Sequence, residues 1–377
     1  MKKIAIVNRT NLKNFGSVLQ VYALYSVVKK LGYDAEVIWE NGNMSKNYDF
    51  RLNKILSTGC KLVTHPKLLK STLANVRHVQ QHVITEETVQ MFDSFVENYI
   101  NRVYYPAKDF CKNIVGSKYS KFICGSDQIW CSTTLYVDPL MYLRFAPKNK
   151  RIAYAPSIGR DYIPNYNKRK MRSYINDIPY VSIREDIGQK LIFNLTNRDV
   201  PVVLDPTLLL SFEEWCCLRK IDKGNKDYIL CYFLSTPTED TQKKIIDFVK
   251  RKNKFVIALN CKLEYLNDVA TVIYPNCGPQ EFLGYVSNAE YVFTDSYHGM
   301  LFSILFKRQF WSIAREYGEY DQSSRQLSVL KMFGLTNRYC VTNSNISEEV
   351  IDYEILQIKL ESEKSKSISF LKKSLES

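Results

Sequence analysis

The chain is 377 residues long, with 45% hydrophobic and 24% charged residues. This composition excludes a disordered chain, and the length exceeds one ordinary core and predicts two domains. The net charge of +13 predicts an anionic partner, but no signature of a nucleic-acid-binding module accompanies it. We therefore expect no nucleic-acid partner.

The first half opens with a strand, a helix and a second strand. Apolar residues are consecutive at 4–7, recur at helical spacing from Val18 to Leu31, and resume at 35–39. This order predicts a parallel sheet with a right-handed crossover. Residues 45–118 are mostly polar with helical patterning, which predicts a helical insert. Further strands are predicted at 122–124, 151–155, 180–183 and 202–204.

The second half repeats the alternation of strands and helices. Strands are predicted at 227–234, 254–260, 271–275 and 291–294, with helices at 239–252 and after Pro279. The tail 346–377 predicts a helix that packs back on the first domain. We expect an α/β fold of two Rossmann-like domains facing a cleft, with domains at 1–210 and 211–345, a boundary near 206–225, and the C-terminal helix at 346–377.

The ten cysteines and the N-terminus predict a cytoplasmic location. No two cysteines form a CxxC pair, so we expect reduced thiols, with neither a disulfide framework nor a metal site. The apolar run Ile4–Val7 is too short for a signal peptide and suits a strand. No apolar run reaches the roughly 18 residues of a membrane span.

One basic segment stands out between Arg51 and Val83. It contains six Lys or Arg and three His, and no Asp or Glu. One interpretation is a solvated helix face, and the other is a patch that contacts an anionic lipid surface at the inner face of the membrane or a phosphorylated acceptor. We therefore expect either a purely cytoplasmic protein or one peripherally attached to the cytoplasmic membrane.

Polar residues cluster directly after the predicted strands, at the edge of an open α/β sheet where ligands bind. The loop before the first helix lacks GxGxxG, so a dinucleotide fingerprint is absent. Its helix start can still hold an anion or a sugar hydroxyl through free backbone N–H groups. The residues concerned are Asn14, Gly16, Ser17, Ser126, Asp127, Trp130, Ser157, Arg184 and His298.

His298 lies between a buried strand and an apolar helix in "TDSYHGMLFSILF". An imidazole can give and take a proton near neutral pH, so His298 is a candidate acid–base residue. The alternative is a hydrogen-bonded structural histidine at a domain boundary. Gly299 permits close backbone approach, and the N–H groups at 299–301 suit a phosphate.

Six stretches in this order resemble the polysaccharide pyruvyl transferase family: "NFGSVLQVYAL", "FICGSDQIW", "YAPSIG", "SIREDIG", "VLDPTLLL" and "TDSYHGMLFSILF". They span about residues 8–310. The resemblance implies a fold similar to the glycosyltransferase B type. It also implies transfer of the enolpyruvyl group of phosphoenolpyruvate onto a sugar, usually as a ketal, with no metal in many members. Phosphoenolpyruvate would be a co-substrate, and no cofactor is expected.

The resemblance assigns His298 a catalytic or phosphoenolpyruvate-binding role and Arg184 a role in holding the donor. A guanidinium grips a carboxylate or phosphate with two hydrogen bonds, although an interdomain salt bridge is the alternative for Arg184. Arg325 is a second candidate cation, and Gly299 is a donor-binding candidate. Asp205, followed by Pro206, is interpreted as a hinge or turn.

One departure from the family concerns the residue two positions before the histidine, which is an Arg in many members and Ser296 here. A Ser hydroxyl can bond a phosphate oxygen, so Ser296 stays a donor-binding candidate, but it carries no charge. Either Arg325, Arg315 or Lys307 compensates, or the donor is different.

The first-domain loops are expected to face the sugar acceptor, either as a glycan or as a precursor linked to a lipid or a nucleotide. Trp130 can stack on a sugar face, and Asp127 can accept hydrogen bonds from hydroxyls. Asn14, Gly16, Ser17, Ser126 and Ser157 complete the candidate acceptor residues. Each can instead have a capping, turn or packing role, since Ser17 and Asp127 are ordinary helix N-cap types.

Two other functions remain open. A B-type glycosyltransferase using a nucleotide sugar would share the fold and predicts an acidic ribose-binding Glu in the second domain, for which Glu281 after "GPQ" could be mistaken. A non-catalytic binding protein would show an occupied or collapsed cleft, and the retained His298 and Arg184 argue against it.

Overall fold

The computed structural model describes residues 2–8, 14–40, 50–65, 85–111, 114–221, 227–315 and 323–377. The basic segment is therefore described only as far as residue 65. The predicted membrane contact of its remainder, 66–83, lies outside the described residues and stays a prediction. Within the described ranges, no helix combines the length and apolar character that crossing a bilayer requires.

The first sheet has six parallel strands in the order β3-β2-β1-β4-β5-β6. Ile4 is paired with Ala35 on one side and with Lys121 on the other. The predicted strand 202–204 is reduced to one bridge between Ile183 and Val202. The strands are β1 (Lys3–Val7), β2 (Asp34–Glu40), β3 (Arg102–Tyr105), β4 (Lys121–Cys124), β5 (Arg151–Ala153) and β6 (Tyr180–Val181).

The helices of the first half pack on both faces of this sheet. Some of these helices lie within the predicted insert. The prediction of a helical insert at 45–118 was incomplete, because β3 lies inside it and forms the edge of the sheet. The helices are α1 (Phe15–Lys30), α2 (Phe50–Thr64), α3 (Glu86–Tyr99), α4 (Ala107–Cys111), α5 (Ile114–Lys118), α6 (Asn165–Asn176) and α7 (Asp186–Thr196).

The second sheet also has six parallel strands, in the order β12-β11-β10-β7-β8-β9. Its strands are β7 (Ile229–Tyr232), β8 (Val256–Leu259), β9 (Val272–Ile273), β10 (Tyr291–Thr294), β11 (Gln309–Ile313) and β12 (Tyr339–Cys340). Its helices are α8 (Phe212–Leu218), α9 (Glu239–Lys252), α10 (Pro279–Asn288), α11 (Tyr297–Leu305) and α12 (Ser324–Phe333), and α13 (Tyr353–Glu376) follows at the C-terminus.

Helix α1 shows how the sequence determines these boundaries. The Asn14 side chain caps it by accepting a hydrogen bond from the backbone N of Ser17 at 3.0 Å. Lys29 and Lys30 lie in its last turn, where their positive charges interact favourably with the negative end of the helix dipole. Gly32 follows with a φ of 88°, a conformation that glycine adopts without steric cost.

The two halves meet through an aromatic cluster beside the start of α1. The Phe15 ring stacks on Phe282 of α10 at 4.7 Å between centroids, and on Phe92 of α3 at 5.2 Å. Phe15 also contacts the ring of Tyr232, at the end of β7. All four residues are buried. This contact places the N-terminus of α1 against the second sheet.

The C-terminal helix α13 packs back on the first domain, which confirms the prediction from the tail. The backbone N of Leu204 donates a hydrogen bond to Ser367 Oγ at 2.9 Å. The Phe370 ring lies 6.3 Å from that of Tyr154, which follows β5. Leu371 and Leu375 are buried in the same contact.

Candidate active site

Four side chains from the carboxyl ends of the first sheet converge on one point. Ser126 and Asp127 follow β4, Arg184 follows β6, and Asp205 lies beyond the bridge at Val202. Asp127 has a φ of 65°, which Asp tolerates better than most residues. Parallel strands end at one edge of the sheet. Ser126 and Asp205 therefore lie close together although they are distant in sequence.

Asp205 is the centre of this cluster. Its Oδ2 accepts hydrogen bonds from Arg184 Nη1 at 2.8 Å and from Ser126 Oγ at 3.0 Å, and it lies 3.5 Å from His298 Nε2. Its Oδ1 accepts hydrogen bonds from the backbone N and the Oγ1 of Thr207. Asp205 thereby caps the turn at Pro206–Leu209. Burial opposes ionisation, but the charges of His298 and Arg184 outweigh it and hold the pKa of Asp205 well below its usual value.

Arg184 is buried among carboxylates. Besides its bond to Asp205, its Nη2 lies 3.4 Å from Asp127 Oδ1, and its Nε lies 3.8 Å from Glu185 Oε2. Its guanidinium carbon lies 4.3 Å from the centroid of the Tyr297 ring, a cation–π geometry. Tyr297 belongs to α11, so Arg184 joins the first domain to the second. The ion pairs of Arg184 all lie within the first domain, so its contact with the second domain is this cation–π contact and not the interdomain salt bridge that the sequence left open.

His298 lies in the first turn of α11 and faces the first turn of α1. The residue is 6% exposed. A Cβ built on Gly16 would overlap the Nδ1 and Cγ atoms of the His298 ring. The two helix N-termini therefore meet at this histidine, and glycine is needed at position 16 for the contact.

We expect Gly16→Ala to disrupt this contact. The added methyl overlaps the imidazole, so either His298 rotates away or α1 and α11 separate, and the activity of the site is lost while the sheets stay folded. The matched control is Gly59→Ala in α2, where a Cβ would meet nothing within 4 Å. That control gains about 1 kcal/mol of stability from helix propensity. Thermal melts and activity assays of both variants measure the difference, and full activity in Gly16→Ala would contradict the contact.

Arg325, at the start of α12, is the second buried guanidinium of the cleft. With the Gln128 amide oriented so that its oxygen faces Arg325, that oxygen accepts from Nη2 at 2.6 Å. The Nε atom is buried without a hydrogen-bond partner. Burial and the charges on Arg184 and Arg315 lower the pKa of Arg325 to about 10. Arg325 is thus a cation whose charge is incompletely compensated.

Glu185 is held by the turn that contains Ser157. Its Oε1 accepts from Ser157 Oγ at 2.9 Å and from the backbone N of Ile158 at 2.8 Å. Its Oε2 is buried and has no hydrogen-bond partner. Burial raises the pKa of Glu185, although Arg184 and Arg325 act in the opposite direction. Unpartnered atoms of Arg184, Glu185, His298 and Arg325 therefore lie in one cluster.

Ser296 is the N-cap of α11, and its Oγ accepts a hydrogen bond from the backbone N of Gly299 at 3.3 Å. Of the cations expected to replace the missing arginine, Arg315 contacts the residue before this cap, since its Nε donates to Asp295 Oδ2 at 3.1 Å. Lys307 is exposed and follows the opposite end of α11. The suggestion that Lys307 compensates is therefore wrong.

The predicted acceptor residues fall into two groups. Asn14, Gly16, Ser17, Ser126, Asp127 and Ser157 lie around the cluster, where Ser17 Oγ also donates to Asp127 Oδ2 at 2.9 Å. Trp130 does not: it is 1% exposed, its Nε1 donates to the Met141 carbonyl, and its ring stacks on Tyr142 at 4.9 Å. The prediction that Trp130 stacks on a sugar is corrected to a packing role in the first domain.

Three residues of the cluster were not predicted. Asp205 was interpreted as a hinge or turn residue, yet its Oδ2 accepts hydrogen bonds from Arg184 and Ser126. Glu185 and Tyr297 flank the predicted Arg184 and His298 in sequence. A usable signal was the position of Asp205 after an apolar run, the same position that identified the other residues. Within the described ranges, no cluster of three or more His, Cys, Asp or Glu side chains fits a metal ion.

Comparison with solved structures shows the fold. The chain is similar to S. aureus MnaA in a co-structure with UDP, with 13% identity, a TM-score of 0.51, and coverage of 96% of this chain and 91% of that chain. It is also similar to a protein from Listeria monocytogenes described as a UDP-N-acetylglucosamine 2-epimerase, with 9% identity, a TM-score of 0.51, and coverage of 99% and 91%. The fold is the expected pair of Rossmann-like domains of the glycosyltransferase B-like type.

Comparison with sequence families is more specific than these structural likenesses. No curated protein matches the chain. The family model for polysaccharide pyruvyl transferase matches residues 14–317, which include the turns that carry Ser126, Arg184, Asp205 and His298. The chain therefore belongs to the polysaccharide pyruvyl transferase family and is a transferase enzyme.

Proposed function

We propose that the protein transfers the enolpyruvyl group of phosphoenolpyruvate onto a sugar of a cell-surface polysaccharide or its precursor, forming a pyruvate ketal. The observation that carries this proposal is the buried, incompletely compensated Arg325, whose pKa is lowered to about 10 by burial, Arg184 and Arg315. A bound anion would relieve that cost. Phosphoenolpyruvate brings two anionic groups, a carboxylate and a phosphate.

Ketal formation sets the demands on the site. C3 of phosphoenolpyruvate takes a proton and becomes a methyl group, and positive charge develops at C2. One sugar hydroxyl bonds to C2 and loses its proton. The bond from C2 to the phosphate oxygen then breaks, phosphate leaves, and a second hydroxyl bonds to C2. The two hydroxyl protons balance the one taken up by C3 and the one carried away by phosphate.

His298 is the proposed acid–base residue for these proton transfers. The Asp205 carboxylate, 3.5 Å from Nε2, stabilises the imidazole when it is protonated. Arg325 and Arg315 are proposed to bind the donor together with the backbone N–H groups that open α11. Arg184 is proposed to position Asp205, because both of its Nη atoms face carboxylates.

A glycosyltransferase that uses a nucleotide sugar is the second candidate. The observation that favours it is Ser296, which stands where many family members carry a donor-binding Arg. The structure of MnaA, a protein similar in fold, contains UDP. Glu281, which could be mistaken for the ribose-binding Glu of such an enzyme, lies 3.2 Å from Lys220 in an ion pair. A nucleotide sugar would have to displace that contact.

Thermal melting with candidate donors separates the two functions. At a concentration 100 times its Kd, a ligand of the folded state adds about 2.7 kcal/mol of stability. We expect phosphoenolpyruvate to raise the melting temperature of the wild-type chain and UDP-N-acetylglucosamine to leave it unchanged. Arg325→Gln should lose the response, while the exposed control Arg251→Gln should keep it. Stabilisation by UDP-N-acetylglucosamine alone would instead identify a glycosyltransferase.

A further inference from the structure

A cavity of about 600 Å³ lies between the two halves of the chain and is distinct from the His298 cluster. Thr236, Asn260 and Tyr274 line it from the carboxyl-end side of β7, β8 and β9. Phe15 and Thr85 line it from the first half. The cavity therefore opens along the same edge of the second sheet on which β10 carries His298.

Hydrogen bonds between the two halves form one wall of the cavity. Thr85 Oγ1 donates to Asn276 Oδ1 at 2.9 Å, and the backbone N of Cys277 donates to Thr88 Oγ1 at 3.4 Å. The start of α3 is thereby fixed against the loop after β9. A ligand in this cavity would contact both halves of the chain, as a substrate in an interdomain cleft does.

The lining has little net charge. Among the described residues that line the cavity, the charged ones are Lys262 and Glu264, which are both exposed and opposite in sign. A diphosphate or a carboxylate–phosphate donor needs several cations or converging N–H groups, as the His298 cluster offers. Thr, Asn, Gln and Tyr side chains dominate here instead. They suit an uncharged ligand rich in hydroxyl groups.

Two tyrosine rings also line the cavity. Tyr265 contributes its ring only, because its hydroxyl has almost no accessible surface and faces the protein interior. Tyr274 is 47% exposed, and its hydroxyl accepts a hydrogen bond from the backbone N of Leu263 at 3.0 Å. The aromatic rings of Tyr265 and Tyr274 add apolar surface of the kind that binding pockets use.

The cavity lies next to the proposed site of transfer. Phe15 lines it, and the next residue, Gly16, packs against the His298 ring. Along the sheet edge, β7 separates β10 from β8, which corresponds to roughly 10 Å at the usual strand spacing. One short oligosaccharide can therefore place one sugar in the cavity and another beside His298.

We propose that this cavity is a subsite for an uncharged part of an oligosaccharide acceptor, next to the sugar that receives the pyruvyl group. The acceptor then extends along the second domain as well as the first, whose loops were expected to bind it. The identification of this glycan as the acceptor rests on the proposed function. The existence of a neutral glycan subsite does not.

The test is binding of the full-length chain to an array of neutral bacterial oligosaccharides of two to four sugars, with UDP and inorganic pyrophosphate as competitors. We expect retention of neutral glycans that neither competitor displaces. Tyr274→Ala removes an aromatic ring that lines the cavity and is 47% exposed, so the variant should stay folded and bind about tenfold more weakly. The control Tyr104→Ala, on the edge strand β3, removes a ring that is 46% exposed and does not line the cavity, so it should bind like wild type.

Three results would overturn the subsite: no neutral glycan retained, displacement by UDP, or equal binding by Tyr274→Ala and wild type. Melting with phosphoenolpyruvate, run on the same proteins, separates this proposal from the proposed function. Glycan retention without any response to phosphoenolpyruvate would support the subsite and contradict the donor. A response to phosphoenolpyruvate without glycan retention would support the donor and contradict the subsite.

Discussion

Asp205→Asn is expected to lower the free energy of unfolding by about 3 kcal/mol, because it removes one partner of a buried ion pair. The side chains of Asp205 and Arg184 are both fully buried and lie 2.8 Å apart. The Asn amide keeps an acceptor for Thr207 but carries no charge. Arg184 then remains buried with only the longer contacts to Asp127 and Glu185.

Urea unfolding of the full chain measures this loss. The control is Glu348→Gln, whose pair with Arg251 is about half exposed on both sides, so the surrounding water already solvates both charges. We expect the control to unfold like wild type. If both variants lost the same small amount of unfolding free energy, the Arg184–Asp205 pair would not contribute the predicted stability.

The same pair predicts a dependence of stability on pH. The pKa of Asp205 is lower in the folded chain than in the unfolded one, where an Asp titrates near about 3.9. Its contribution is therefore fully present above about pH 4 and is lost as the pH falls towards the folded-state pKa. The difference between wild type and Asp205→Asn should be largest at neutral pH and should narrow in acid. A difference that stays constant down to pH 3 would contradict the assignment.

His298→Gln is expected to lower the rate of pyruvyl transfer by about 10²–10⁴-fold, the usual contribution of a general acid–base residue. The Gln side chain approximates the length of the imidazole but cannot carry a proton between substrate and product. Since the proposed donor contacts are Arg325, Arg315 and backbone N–H groups, binding of phosphoenolpyruvate should be largely retained. The variant thus separates chemistry from binding.

The matched control is His65→Gln, at the exposed end of α2. It should transfer at the wild-type rate. Initial rates and melting with phosphoenolpyruvate, measured on both variants, test the prediction. A His298→Gln protein that transfers normally would leave the histidine as a packing partner of Gly16 and place the acid–base role elsewhere.

Much of the fold could be predicted because buried parallel strands have continuous apolar sequences. Lys3–Val7 and Tyr291–Thr294 are of this kind. Strand β3 was missed because Arg102–Tyr105 is a short edge strand with one buried residue of four. Strand β11 was missed because only Lys307 and Arg308 separate Gln309 from the apolar end at Phe306. Helix α11 and strand β11 are so close in sequence that their apolar residues look like one continuous run.

The site was predicted in part for a related reason. Polar residues after strand ends identified Arg184 and His298, since parallel topology alone brings such positions together. Which groups then pair is decided by contacts between distant segments, such as Ser126 with Asp205. The sequence carries no direct record of that pairing. The burial of Trp130 likewise depends on Met141 and Tyr142, which belong to a later turn.

The most direct test of the central claim is to follow phosphoenolpyruvate labelled with ¹³C at C3 by NMR while the full-length chain acts on a pool of bacterial glycans. The account predicts that the methylene signal is replaced by a methyl signal attached to glycan, that phosphate is released in equal amount, and that both changes are lost in His298→Gln. Unchanged phosphoenolpyruvate, together with consumption of UDP-N-acetylglucosamine supplied alongside it, would contradict the account and identify a glycosyltransferase.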